Sequence, residues 1–89
     1  MNIDELAWNN DRVDHIAEHE VDPEEVWEVC IGNHWARREG KKRFRVYGQT
    51  KTGRYLFVVL ERMSAGKFMP ITARDMTEGE KRQFRRIKK

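Results

Sequence analysis

The chain has 89 residues, of which 37% are charged and 38% hydrophobic, and its formal net charge is +3. This length fits one small domain, predicted to span residues 1–89, and the nine aromatic residues argue against a disordered chain. The longest apolar run, Leu56–Leu60, is too short to cross a bilayer, and the N-terminus lacks the apolar core of a signal peptide. Because Cys30 is the single cysteine, no internal disulfide can form, and we expect a cytoplasmic protein.

The charges are divided unevenly along the chain. Residues 1–40 contain 3 Lys or Arg and 11 Asp or Glu, a net charge of −8, whereas residues 41–89 contain 15 and 4, a net charge of +11. A basic half of this kind is what a polyanion-binding surface requires. The alternative is that the two halves pack together and neutralise each other.

A short strand and a first helix are predicted near the N-terminus. The strand covers Ile3–Trp8 and is expected at the edge of a sheet. The helix covers Asn10–His19, and its N-cap is Asn9 or Asn10, because an amide side chain accepts hydrogen bonds from the first free backbone N–H groups.

The second helix has the clearest local signal. Asp22 is its predicted N-cap, Pro23 suits the first helical position, and Glu25 completes a capping box. Gly32 is the predicted end, because glycine readily adopts the backbone conformations that terminate a helix.

The basic half predicts four strands and a last helix. Tyr55–Leu60 is apolar on both faces, which predicts a central strand, and Pro70 indicates an edge position or a bulge in the last strand. The last helix starts at Thr77, with Glu80 completing a second capping box. The predicted strands are His34–Glu39, Arg43–Thr50, Tyr55–Leu60 and Lys67–Ala73.

These elements predict an α+β fold of order (β)ααββββα. Short hairpin connections favour an antiparallel four-stranded sheet, with two N-terminal helices and one C-terminal helix. All helices are expected on one face of the sheet, which leaves the opposite face free to hold a site.

Arginines on the strands are the first candidates for a functional site. Planar guanidinium groups bind phosphates bidentately and stabilise the charge that develops on a phosphoryl group. Arg74 stands out because it ends an otherwise apolar strand. The alternative is that they are solvated strand ends. The set is Arg43, Arg45, Arg54, Arg62 and Arg74.

Histidines, carboxylates and aromatic rings supply further candidates. His15 and His19, four residues apart on a helix, could bind a metal only with help from Glu18, Cys30 or His34, and nothing fixes these nearby, so we predict no metal. An imidazole is more plausible as a helix cap or as a proton shuttle.

Glu61 or Glu80 could act as a base, although the capping box already explains Glu80. Trp35 and Tyr47 are candidates for stacking on RNA bases, and Trp27 is expected in the core.

Three blocks of sequence, in a fixed order, cover nearly the whole chain. They are Trp8-Asn9 with His15-Ile16-x-x-His19 and Val21–Val26; Arg45–Thr50 with Gly53–Leu60; and Ile71–Thr77 with Glu80-Lys81-Arg82-x-Phe84. Together they resemble the BrnT-like toxins of bacterial type II toxin–antitoxin systems, a branch of the RelE-like fold.

The resemblance implies a toxin that cleaves RNA through the 2′-OH, without a metal or another cofactor, and a ribbon-helix-helix antitoxin as its partner. The catalytic residues that it implies are His19, Arg54, Glu61, Arg62, Arg74 and Glu80. The residues expected to bind RNA around them are Arg43, Arg45, Tyr47, Arg82 and Arg85.

A non-catalytic module that binds nucleic acid or protein is the main alternative, and an enzyme with a metal on His15 and His19 is a third. No membrane partner is expected, and a homo-oligomer remains open.

Overall fold

The computed structural model describes residues 1–88 and confirms the α+β class. Its sheet has five strands in the order β1-β5-β4-β3-β2, in which β1 runs parallel to β5 and the other neighbours are antiparallel. The elements are β1 (Glu5–Leu6), α1 (Asn10–Ala17), α2 (Pro23–Ile31), β2 (His34–Arg38), β3 (Arg43–Gln49), β4 (Tyr55–Ser64), β5 (Lys67–Asp75) and α3 (Glu78–Ile87).

The predicted four-stranded sheet is wrong, because the N-terminal segment joins it as a fifth strand. β1 pairs with the beginning of β5, Glu5 opposite Lys67 and Leu6 opposite Phe68. The Ala7 N–H donates to the Phe68 carbonyl at 2.8 Å, which extends this short parallel ladder. The later part of β5 has no strand beyond it among residues 1–88, and α1 packs there.

The helix ends follow the capping signals in the sequence. Asn9 caps α1, and the capping boxes of Asp22 with Glu25 and of Thr77 with Glu80 are both formed. Helix α1 ends two residues before the predicted His19. From Glu18 to Glu20 the backbone N–H groups donate to carbonyls three residues earlier, and not four as in an α-helix. Glu20 has a φ of 58°, which ends the helical path.

Helices α1 and α2 cover one face of the sheet and enclose the main core. Ile16 of α1 and Val29 of α2 are fully buried there with Val46 and Val58 of the sheet. Gly48 lets α2 approach β3 closely, because a Cβ at this position would lie 2.9 Å from Cγ1 of Val29.

Helix α3 lies on the opposite face, so the prediction that all helices share one face is wrong. Its buried residue, Phe84, packs in a second cluster with Tyr47, Phe57 and Met76. Tyr47 of β3 and Phe57 of β4 therefore present aromatic surface on this side as well, and burying it favours a helix here. Only part of this face remains uncovered.

The central position of β4 and the bulge at Pro70 are both confirmed. Val59 is opposite Thr72 whereas Leu60 is opposite Pro70, so β5 carries one extra residue, Ile71, at this point. None of the helices in residues 1–88 is long and apolar enough to cross a membrane.

Candidate functional site

The part of the sheet that α3 leaves uncovered forms a cleft of about 320 Å³. Strands β3, β4 and β5 form its floor, and the first turn of α3 and the end of β2 flank it. The residues that line it are Glu39, Arg43, Arg45, Phe57, Val59, Ile71, Thr72, Arg74 and Glu80.

Three of the five predicted arginines meet in this cleft, and we call Arg43, Arg45 and Arg74 the cleft arginines. The first two alternate with core residues along β3 and so point away from α1 and α2. Arg74 is opposite Phe57, whose ring is on the same face. The fold therefore brings three of the five candidate arginines together in one cleft.

Arg74 is the best-positioned of the cleft arginines. Its Nη1 and Nη2 donate to the two carboxylate oxygens of Glu80 at 2.9 and 3.2 Å, and Nη1 also donates to the Asp75 carbonyl at 2.9 Å. The guanidinium carbon lies 4.3 Å from the centre of the Phe57 ring. These contacts hold the planar group in one orientation while its side chain remains 38% exposed.

The carboxyl of Glu80 is held ionised by Arg74. The hydrogen bond from Arg74 is the main reason that the pKa of Glu80 is lowered, and burial opposes it. The same bond raises the pKa of Arg74. Since an acid with a lowered pKa is a weak base, Glu80 is better suited to positioning Arg74 than to accepting a proton.

The other two cleft arginines also have carboxylate partners. The Nε of Arg43 lies 3.5 Å from Oε1 of Glu61 on the neighbouring strand. Arg45 donates a hydrogen bond to Glu39, and this bond lowers the pKa of Glu39. The cleft is thus balanced in charge, and an incoming anion must displace a carboxylate or share its arginine.

Arg54 lies outside the cleft and links three parts of the fold. It donates to Asp75 Oδ1 at 2.8 Å, to Glu25 Oε1 at 3.0 Å, and to the Glu20 carbonyl at 2.6 Å. Its predicted role as a phosphate ligand therefore finds no geometric support, since its donors are used to connect α2, the α1–α2 turn and β5.

Arg62 and His19 are also separated from the cleft. Arg62 is opposite Phe68, and Phe68 is buried in the main core beneath α1 and α2. Arg62 therefore lies on the face of the sheet that α1 and α2 cover, and it is exposed there. His19 is exposed beyond the end of α1, and its ring meets that of His15 edge-on at 5.6 Å.

The histidine that reaches the cleft margin is His15. Its Nε2 lies 3.1 Å from Oγ1 of Thr72, a residue of the cleft lining. The histidine that the resemblance implies as catalytic is His19, whereas the one that contacts the cleft lining is His15. This contact depends on how α1 packs against β5 and could not be predicted from the spacing of the two histidines.

The aromatic and helix residues predicted to bind RNA are placed differently. Tyr47 is only 7% exposed, stacked on Trp35 at 5.0 Å and next to Phe57, so its expected stacking on RNA bases is wrong. Trp35 is partly exposed beside it. Arg82 and Arg85 are exposed on α3 and do not line the cleft.

The sequence reasoning missed Glu39 and Thr72. A signal for Glu39 existed, because the turn at Gly40 returns the chain so that the Glu39 N–H donates to the Arg43 carbonyl at 2.8 Å. Glu39 is thus opposite Arg43 across the hairpin, and residues opposite each other share one face of the sheet. No comparable signal marks Thr72.

No three His, Cys, Asp or Glu side chains within residues 1–88 are grouped so that they could hold a metal ion. Cys30, one of the ligands considered, is buried, and burial raises the pKa of its thiol to about 12. This thiol therefore stays protonated at neutral pH.

Comparison with known proteins gives no match: no protein-family model, no curated protein and no solved structure matches the chain. The cleft geometry and the sequence resemblance are therefore the support for a functional proposal.

The ion pairs predict a loss of stability in acid. Hydrogen bonds from Arg54 and Arg74 hold the pKa values of Asp75 and Glu80 below their usual range. In the unfolded chain these two carboxyl groups have ordinary pKa values of about 4, so they bind protons at a higher pH than in the folded chain. The stability that the two ion pairs contribute is therefore complete above about pH 4, and it is lost as the pH falls through the lower pKa values of the folded chain. Urea unfolding measured across the acid range should show this decline. A free energy of unfolding that does not change there would contradict it.

Proposed function

We propose that the cleft binds the phosphodiester backbone of RNA and that the chain cleaves RNA by attack of the 2′-OH, without a metal. The observation that carries the proposal is the oriented, partly exposed guanidinium of Arg74 beside Arg43 and Arg45 on one open face. Arginine forks match phosphate oxygens bidentately and bind them more strongly than neutral donors do.

The carboxylate of Glu80 occupies the donors that a phosphate would use. A carboxylate and a phosphate each present two oxygens to a guanidinium fork, so Glu80 keeps Arg74 in a geometry that suits phosphate. When RNA binds, Glu80 either yields these donors or shares Arg74 with the phosphate. Arg74 then retains the Phe57 ring and the Asp75 carbonyl as supports.

In the proposed reaction the 2′-oxygen attacks the adjacent phosphorus and the bond to the 5′-oxygen breaks. A base takes the 2′-OH proton, the leaving 5′-oxygen gains a proton, and the products are a 2′,3′-cyclic phosphate and a 5′-OH. Negative charge grows on the non-bridging oxygens, where the cleft arginines stabilise it. Glu61, beside Arg43, and His15, at the margin, are the candidate bases.

Purified protein incubated with single-stranded RNA, with and without EDTA, tests the proposal. Fragments ending in a 2′,3′-cyclic phosphate are expected in both samples. The matched control is an oligonucleotide of the same sequence with 2′-deoxy sugars, which should remain intact. Cleavage of the deoxy control, or cleavage abolished by EDTA, would contradict the proposed reaction.

A second candidate is a module of the same fold that binds nucleic acid without cutting it. The observation that favours it is the carboxylate partner of every cleft arginine, which weakens the field available to a transition state. The same incubation separates the two functions. Retention on RNA that weakens with salt, with no new fragments, supports the module.

On the basis of the sequence resemblance, we further propose a RelE-like toxin that acts in the cytoplasm and is neutralised by a ribbon-helix-helix antitoxin. The observed element order, βααββββα, is the order that the sequence pattern predicts. Expression of the chain alone should arrest growth, and co-expression of a ribbon-helix-helix protein from the neighbouring reading frame should relieve the arrest. Normal growth at confirmed expression of folded protein would contradict the toxin proposal.

A further inference from the structure

A second depression, of about 390 Å³, lies between the N-terminal segment and the start of α2, and we call it the tryptophan groove. Trp8 and Trp27 are partly buried against the main core and leave part of their surface in the groove. Its lining residues are Asp4, Glu5, Leu6, Trp8, Pro23, Glu24 and Trp27.

The tryptophan groove combines apolar surface with negative charge. Asp4, Glu5 and Glu24 are all exposed, and they belong to the part of the chain with a net charge of −8. Among residues 1–88, the ion pair found at these three carboxylates is the long one between Glu5 and Lys67, at 4.0 Å. An occupant that fits this groove carries basic side chains next to an apolar one.

Helix α3 presents this combination on its outer surface. Arg82, Arg85 and Arg86 are exposed, and Ile87 beside them is 44% exposed although it is a large apolar residue. Phe84 anchors the helix to the sheet, and the guanidinium of Arg85 lies 5.6 Å from the centre of the Tyr55 ring. Arg82, Arg86 and Ile87 are exposed.

We propose that the end of α3 in one copy of the chain docks into the tryptophan groove of a second copy. Ile87 would bury its side chain against the indole rings, and the arginines would face the acidic rim and stack on the tryptophans. The unequal charges of the two halves of the sequence are then complementary between molecules. The inference is independent of the proposed ribonuclease activity, since neither surface lines the cleft.

Each copy offers one groove and one helix. Two copies can dock reciprocally in a closed two-fold pair, or the copies can associate head to tail in a larger ring or an open chain. Because the attraction is largely between exposed charges, it should weaken as salt shortens the screening length.

Sedimentation velocity of RNA-free protein at increasing concentration tests the proposal. At low salt the weight-average sedimentation coefficient should rise with concentration, and at high salt it should return towards that of the single chain. A coefficient that stays at the single-chain value at every concentration and at low salt would overturn the proposal.

A charge exchange makes the test specific. Glu24→Lys and Arg86→Glu each place like charges at the contact, so each variant alone should remain a single chain. A mixture of the two should associate again, because the altered groove now matches the altered helix, and the unaltered groove and helix match as well. Both positions are exposed, and circular dichroism checks that both variants fold.

Failure of the mixture to associate, or association of either variant alone like the parent, would overturn the assignment of these surfaces. Ile87→Ser supplies an independent check of the apolar part of the contact. It keeps every charge on α3 and should still weaken association. Association equal to that of the parent would show that Ile87 is not at the interface.

Discussion

Replacing Arg74 by alanine should reduce RNA cleavage by about 10²–10³-fold while the domain stays folded. The substitution removes the only cleft arginine that combines a two-pronged carboxylate contact with support from a ring and a backbone carbonyl. The lost ion pair with Glu80 is partly exposed, so its removal should cost about 1 kcal/mol or less of stability. Single-turnover cleavage of RNA measures the effect on the reaction.

Arg62→Ala is the matched control for this prediction. It removes the same positive charge from the same sheet, but from the face that α1 and α2 cover, and its cleavage rate should remain close to that of the parent. Arg74→Lys should be intermediate, since it keeps the charge and loses the fork. If Arg74→Ala cleaves RNA as fast as the parent, the cleft is not the site of the reaction.

Replacing Arg54 by methionine should lower the free energy of unfolding by about 2–3 kcal/mol. The side chain is 26% exposed and donates to two carboxylates and to backbone carbonyls of the α1–α2 turn. Methionine fills similar volume, but it leaves Glu25 and Asp75 without their shared cation. Urea or guanidinium unfolding at neutral pH measures the loss.

The acid sensitivity should change with this substitution as well. Without Arg54, the pKa of Asp75 returns towards its ordinary value, so its share of the stability lost in acid disappears. Arg62→Met, an exposed change, should alter stability by no more than about 0.5 kcal/mol. An Arg54→Met variant as stable as the parent would mean that the links among α2, β5 and the α1–α2 turn are not needed.

The features that the sequence predicted well are those determined by neighbouring residues. The caps at Asp22 and Thr77 satisfy backbone donors three residues away, so the local sequence is enough to place them. Pro70 lacks a backbone N–H, and its effect on the ladder was therefore predictable as well.

The predicted position of α3, on the same face of the sheet as α1 and α2, was wrong, although the sequence of the central strand indicates the opposite face. A strand that is apolar on both faces, as Tyr55–Leu60 is, needs cover on both faces. Two helices on one side could not provide it. The parallel β1–β5 pairing had no such signal, because Glu5–Leu6 is a two-residue strand whose partner lies more than sixty residues later.

The candidate site was predictable where strand alternation decides the face. Arg43 and Arg45 alternate with Phe44 and Val46, and this placed them together. The same rule separates Arg62 from them, since it follows Leu60 by two residues and so shares the core-facing side. The partners of the arginines, and the contact of His15 with Thr72, depend on tertiary packing and could not be read from spacing.

The most direct test of the anion-binding cleft is a titration with uncleavable RNA, observed through the nuclear magnetic resonance signals of the arginine side chains. A short single-stranded RNA with 2′-O-methyl groups should shift the Nε–H signals of Arg43, Arg45 and Arg74 together. Those of Arg54 and Arg62 should stay in place, because they lie outside the cleft. Unchanged signals from the three cleft arginines at RNA concentrations that shift others would contradict the central claim.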